Sequence, residues 1–257
     1  MDLGMSVPPR YKESFSRGLA RTHAQLSTIL LPKIGTIVSV NADGTCQQGP
    51  IPGLGGPFDT AREFFKAWAD RTKFGMTDEQ LREACGPHAA EIIPSVLSFA
   101  KSIGKLADTL SARDHGPFPL CHGYFGQNNI VVDDNYNILG VIDWEMAFAA
   151  PWEIFGDFPS TLSTVSPAID APWNYNEDGS PRCTDLIEQF ADQKEYLEAV
   201  RQEENNNPAN IHHLSEALGD SRRQQLATAM RMYQDGKIGT YSNLIDKFTS
   251  HTGQSIS

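Results

Sequence analysis

The chain has no apolar run approaching the roughly 18 to 20 residues needed to span a bilayer, and its N-terminus carries no apolar core of a secretory signal. Both absences make the cytoplasm the default location. Cysteine is scarce: Cys46, Cys85, Cys121 and Cys183 stand far apart with no C-x-x-C spacing. Neither a zinc site nor a disulfide framework is indicated. Basic residues are also few, 21 Lys and Arg against 32 Asp and Glu, for a formal charge of −11. That balance disfavours nonspecific attraction to nucleic acid or to an anionic membrane surface, and leaves room for a cationic substrate. What is present suffices for one folded unit, since 257 residues with 40% hydrophobic content can bury a substantial core without disulfides.

Periodicity predicts an α+β fold, mainly α-helical. Residues 10–29 are spaced for one apolar helix face through Phe15, Leu19, Leu26 and Ile29. Residues 33–40 and 45–48 read as a hairpin around Asn41-Ala42-Asp43-Gly44. The stretch GPIPGLGG, 49–56, is rich enough in glycine for its N–H groups to approach phosphates. It lacks a following lysine and contains Pro50 and Pro52, so it reads as a structural loop. Thr60-x-x-Glu63 and Thr77-x-x-Gln80 are capping boxes. The first opens a helix over 61–73 with Phe64, Phe65 and Trp68 buried, the second a short helix ending near Gly86. Further helices are expected over 94–110, 185–204 and 215–234, with a loop over 166–182. His212-His213 has no second ligand cluster nearby and is not read as a metal site.

The most informative segment is CHGYFGQNNIVVDDNYNILGVIDWE, 121–145. His122 and Asn129 take the first and last places of a His-x-Asp-x-x-x-x-Asn catalytic loop, and Tyr124 stands where the aspartate belongs. Strands over 130–132 and 138–142 flank a turn at 133–137, which puts Asn129 and Asp143 at the same end of a hairpin. An amide oxygen and a carboxylate brought there from two segments suit magnesium, a hard cation that takes oxygen ligands. Asp133 and Asp134 fall at the far end and read as turn formers. Cys121 beside His122 is no nucleophile pair, because adjacent residues on an extended segment point to opposite sides.

His122-Gly123, Asn129 and Ile142-Asp143-Trp144-Glu145 together resemble the aminoglycoside phosphotransferase family, small-molecule kinases that share the protein-kinase fold. The family's loop usually reads HGD and, after four intervening residues, Asn; its metal strand ends IDWE or IDWD. The resemblance implies the C-terminal lobe of a protein-kinase-like fold over 1–257, with a small β-hairpin carrying the metal-binding residues. It implies Mg2+ and ATP as cofactors and a small-molecule hydroxyl compound as acceptor. Asn129 and Asp143 become the metal- and cofactor-binding residues, Tyr124 the group in the catalytic base's place, and His122 a brace between the catalytic loop and the strand bearing Asp143. Glu153, Asp157 and Asp185 become cation contacts bordering the acceptor pocket.

Two departures qualify the resemblance. An aspartate carboxyl, with an ordinary pKa of about 3.9, is ionised at neutral pH, whereas a phenol near 10 stays protonated, so Tyr124 cannot serve as the same base. A positioned general base is typically worth about 10² to 10⁴ in rate, so its loss cripples the reaction without abolishing it. Upstream of His122 there is also no Gly-rich phosphate-covering loop and no Val-Ala-Ile-Lys-like strand. The expectation is a C-terminal lobe without its ATP-binding lobe, derived from an ATP-dependent small-molecule kinase and inactive or severely impaired. One alternative is an active phosphotransferase whose missing lobe is supplied by a partner chain or by upstream sequence. Another is a non-catalytic binding or regulatory module, with a protein partner on the apolar surface that the missing lobe exposes.

Overall fold

Lys12–Leu26 forms α1, burying Phe15, Leu19, Ala20 and Leu26 along one stripe as the apolar spacing predicts. It stops short of Ile29 because the hydroxyls of Ser27 and Thr28 turn back onto the carbonyls of Ala24 and Gln25. The computed structural model describes residues 7–171, 174–207 and 213–249. Leu30–Leu31 is β1, and the expected hairpin follows as β2 (Thr36–Val40) and β3 (Cys46–Gly49), its turn closed by the Gly44 N–H on the Asn41 carbonyl. The glycine-rich loop follows β3 and holds Gly53, Gly55 and Gly56 at positive φ. Arg71 Nη1 donates to the Leu54 carbonyl at 2.7 Å and pins the loop to the next helix.

Both capping boxes close. Thr60 Oγ1 accepts from the Glu63 N–H and the Glu63 carboxylate accepts from the Thr60 N–H, opening α2 (Ala61–Arg71). Thr77 and Gln80 do the same for α3 (Asp78–Cys85). α4 (Ala89–Leu110) begins ahead of the expected Pro94 and keeps that proline in its interior. Ala90 and Pro94 are both exposed there, so water reaches the carbonyl that the proline leaves without a partner.

Past α4 run β4 (Phe118–Cys121), β5 (Ile130–Val132), β6 (Ile138–Val141) and β7 (Phe148–Ala149). β1, β4 and β7 form an antiparallel sheet in that order, registered by Leu31 opposite Phe118 and Leu120 opposite Ala149. β5 and β6 form a separate ribbon in which Ile130 faces Val141, with an irregularity beyond Val131 that leaves Leu139 outside the pairing.

The last third is helical: α5 (Trp152–Phe155), α6 (Thr184–Asn206), α7 (His213–Gly219), α8 (Ser221–Gln234) and α9 (Tyr241–Thr249). The single helix expected over 215–234 is two. Asp220 leaves the helical conformation and its carboxylate accepts from the N–H groups of Arg222 and Arg223, starting α8 afresh. Of the His212-His213 pair, only His213 lies within the described residues.

Two apolar clusters hold this mainly helical α+β fold together. The larger joins α2, α4, α8 and α9 around Phe65, Phe99, Ile103 and Tyr241. The smaller joins α1, α5, α6 and α7 around Leu19, Tyr196 and Leu214. β4 touches both, through Phe118 and Leu120 on one side and Cys121 on the other, so the chain leaving it is anchored from two directions. Among the described residues, no helix is long and apolar enough to cross a membrane.

Candidate active site

β4 delivers His122 directly into the loop that follows. The ring is buried, and its Nδ1 accepts the Tyr124 N–H at 3.3 Å. Since an amide can only donate, the ring's proton sits on Nε2, which donates to the Ile142 carbonyl at 2.7 Å. Trp144 packs edge-to-face with the same ring, centroids 4.6 Å apart. Ile142 in turn donates its N–H to the Asn129 carbonyl at 2.9 Å. One neutral imidazole and one backbone bond thus tie both ends of the loop 122–129 to the end of β6.

Asn129 closes a single 3-10 turn, Gln127–Asn129, immediately before β5. Its Nδ2 donates to the Tyr124 carbonyl at 2.8 Å, which fixes the amide and leaves Oδ1 without a protein donor among the described residues. Asp143 follows Ile142 in the left-handed conformation, φ 63° and ψ 59°. Aspartate enters that region more readily than most residues, though a non-glycine residue there costs on the order of 1 to 3 kcal/mol. The reversal folds Trp144–Met146 back over the loop. A Cβ on Gly123, itself at φ 88°, would stand 2.7 Å from the Met146 carbonyl oxygen, so this close crossing needs glycine. The Asp143 side chain is exposed and makes no hydrogen bond or ion pair among the described residues. Asn129 Oδ1 and the Asp143 carboxylate are thus uncommitted oxygens from two different segments, the donor type that a hard cation such as magnesium takes.

Tyr124 is 58% exposed, and its hydroxyl has no protein partner among the described residues. The other acids proposed for this region do not take up the base's role. Asp157 accepts from Arg231 Nε at 2.9 Å and from the Thr228 hydroxyl at 2.6 Å. Glu153 is buried and accepts from the Ala112 N–H and the Ser111 hydroxyl, with Arg223 at 3.8 Å; burial nevertheless raises its carboxyl above the usual range. Both therefore face the protein's own donors rather than a substrate cation. Asp185 is exposed in the first turn of α6. Asp133 accepts from Asn135 and Asn137, the side-chain bond from Asn137 doing most to hold it below the ordinary carboxylate range, as befits a turn former. The thiol of Cys121 is enclosed although the residue is partly exposed, and burial pushes it up to about 11, far from a thiolate.

Some participants have no mark in the sequence. The Ile142 carbonyl is the atom that His122 holds, and any residue supplies a carbonyl. Ser160 donates its N–H to the Phe125 carbonyl at 2.8 Å, and a Cβ on Gly126 would collide with its side chain. The loop is thereby backed by a segment distant in sequence.

A model of the APH family, described as a phosphotransferase enzyme family, matches residues 13–154, just over half of the 257 residues. The chain belongs to this phosphotransferase family. The match runs from α1 into α5 and takes in both hairpins and the whole His122–Asp143 centre. No curated protein and no solved structure gives a significant match to the chain.

Proposed function

We propose that this phosphotransferase-family chain is a kinase-derived C-terminal lobe that keeps the coordinating pair for Mg2+·ATP but has lost the general base. Asn129 and Asp143 hold the cation, which when bound would neutralise charge on the phosphates. His122 keeps those two residues together by bonding across the loop, and acts as a brace rather than a proton carrier because its one proton is committed to Ile142. Tyr124 would face the acceptor hydroxyl as a hydrogen-bonding phenol and not as a proton acceptor. The observation that carries this reading is the exposed Tyr124, whose hydroxyl has no partner among the described residues while its backbone is braced by His122 and Asn129, with Asp157 and Glu153 engaged elsewhere. Phosphate transfer to a small hydroxyl compound is then lost or severely impaired.

One observation favours the non-catalytic reading alongside this one. Tyr124, Ile142, Trp144 and Met146 leave large apolar surfaces exposed around the coordinating pair, where a lobe or another protein would cover them. The enzymatic question is settled by radiolabelled phosphate transfer to amino sugars, choline-like alcohols and homoserine. The wild-type chain is expected to stay at background with every acceptor. Robust turnover that disappears in Asp143→Asn would replace this proposal with an active enzyme whose other lobe comes from a partner or from upstream sequence.

A further inference from the structure

A recess of about 1240 Å³ lies away from the centre and shares no residue with it. It runs between α2 and α4 and is closed at one end by the 72–78 connection into α3. The helices approach closely because small residues meet at the bottom: a Cβ on Gly104 would stand 3.1 Å from that of Ala69. The end wall is preformed. Gly75 donates its N–H to the Tyr233 carbonyl, and a Cβ there would collide with the Gln234 carbonyl, so the loop is clamped on the end of α8. Phe74, Ala100 and Tyr233 contribute apolar floor, and Leu97, 55% exposed, stands uncovered at the side.

The rim carries more lysine than acid, unlike the molecule as a whole. Lys66 and Lys73 line the α2 side and Lys101 and Lys105 the α4 side, against Asp70 and Asp78. Lys66 is paired with Asp108 at 3.1 Å, whereas Lys73, Lys101 and Lys105 make no ion pair among the described residues. Asp70 and Asp78 are likewise unpaired among the described residues, so a chain of formal charge −11 sets three free ammonium groups against two carboxylates around this trough, a local excess of one positive charge. From Leu97 to Lys105 the trough follows α4 for roughly 12 Å, about two helical turns. Its volume and open side exceed what a small ligand needs for enclosure, typically about 300 to 1,000 Å³.

We propose that this trough is a docking site for an acidic amphipathic helix of a protein partner. The apolar face of that helix would lie on Leu97, Ala100 and Phe74, with its flanking carboxylates meeting Lys101 and Lys105 on one side and Lys73 on the other. The inference is independent of the phosphotransferase reading, because it uses none of the residues at 122–146.

The test uses a labelled peptide of about 16 residues with leucines at helical i, i+3, i+4, i+7 spacing and glutamates on both flanks, followed by fluorescence anisotropy. Binding is expected with the wild type, weakened at least tenfold by Lys101→Glu with Lys105→Glu and again by Leu97→Glu, and unchanged by Tyr124→Ala. Amide exchange should slow only over 66–78 and 97–105 on peptide addition. Circular dichroism of the variants guards against a folding defect, and exchange protection in the wild type decides the matter if a variant fails to fold. No binding at about 1 mM peptide, equal binding to all variants, or equal affinity for a lysine-flanked peptide would overturn the proposal. So would lysine-dependent binding of dodecanoate, anionic vesicles or duplex DNA without binding of the peptide.

Discussion

Tyr124→Asp raises phosphate transfer from ATP by about 10² to 10⁴ over the wild-type rate, the range a positioned general base supplies. The backbone at position 124 is already fixed: its N–H is held by His122, its carbonyl by Asn129, and its side chain is exposed. A carboxylate there would be ionised at neutral pH and able to take the acceptor's proton, which a phenol cannot. The measurement is radiolabelled transfer in excess Mg2+ with the acceptor panel described above. Adding Asp143→Asn to the Tyr124→Asp variant should return the rate to background, which distinguishes a restored centre from a contaminating kinase. If Tyr124→Asp gains nothing, the absent base is not the limiting defect.

The second large effect concerns pH and lies in the smaller core. His23 is fully enclosed between α1, α5 and α6, with Nδ1 3.0 Å from the Tyr196 hydroxyl and Nε2 3.3 Å from the Phe155 carbonyl. The phenol donates and the carbonyl accepts, so the network fits a neutral ring. Burial lowers its pKa from 6.5 to about 4. Between those values the unfolded chain binds a proton that the native chain refuses. Stability therefore falls as pH drops through this window, by about 2 kcal/mol at pH 5 and about 3 kcal/mol near pH 4, at about 1.4 kcal/mol per unit. Glu153 works the other way, since burial raises its pKa in the native state, so acidification relieves that cost and offsets part of the loss. Urea unfolding at pH 7 and pH 5, on wild type and His23→Gln, isolates the histidine's share. The variant should lose most of the pH dependence, and a variant with the same dependence as wild type would remove His23 from the account.

Much of this architecture can be read from residues because local chemistry agrees with the global fold. Thr60, Glu63, Thr77 and Gln80 announce two helix starts, and all the bonds they imply are made. The two hairpins are legible from turn chemistry at 41–44 and 133–137. The sheet of β1, β4 and β7 is not, because strands of two to four residues carry too few alternations to distinguish from loop. Asp220 hides a helix break inside an otherwise continuous pattern, since its capping role shows only once the backbone has turned. α9 carries no strong start signal in its residues, and its stability comes from burying Tyr241, Leu244 and Phe248.

The site divides in the same way. The places of His122, Tyr124, Asn129 and Asp143 follow from spacing, whereas the left-handed turn at Asp143 and the crossing of Met146 over Gly123 emerge only from tertiary packing. Likewise, Glu153 and Asp157 are indistinguishable from substrate contacts until Ser111, Thr228, Arg223 and Arg231 arrive from other segments to engage them.

In the proposed function Asn129 and Asp143 still hold magnesium and nucleotide. Calorimetric titration of Mg·ATP into the wild type and Asp143→Ala tests it directly. The wild type should bind in a Mg2+-dependent manner, at least about tenfold (~1.4 kcal/mol) more tightly than the variant without the carboxylate. Identical isotherms for the two proteins, with or without Mg2+, would contradict it.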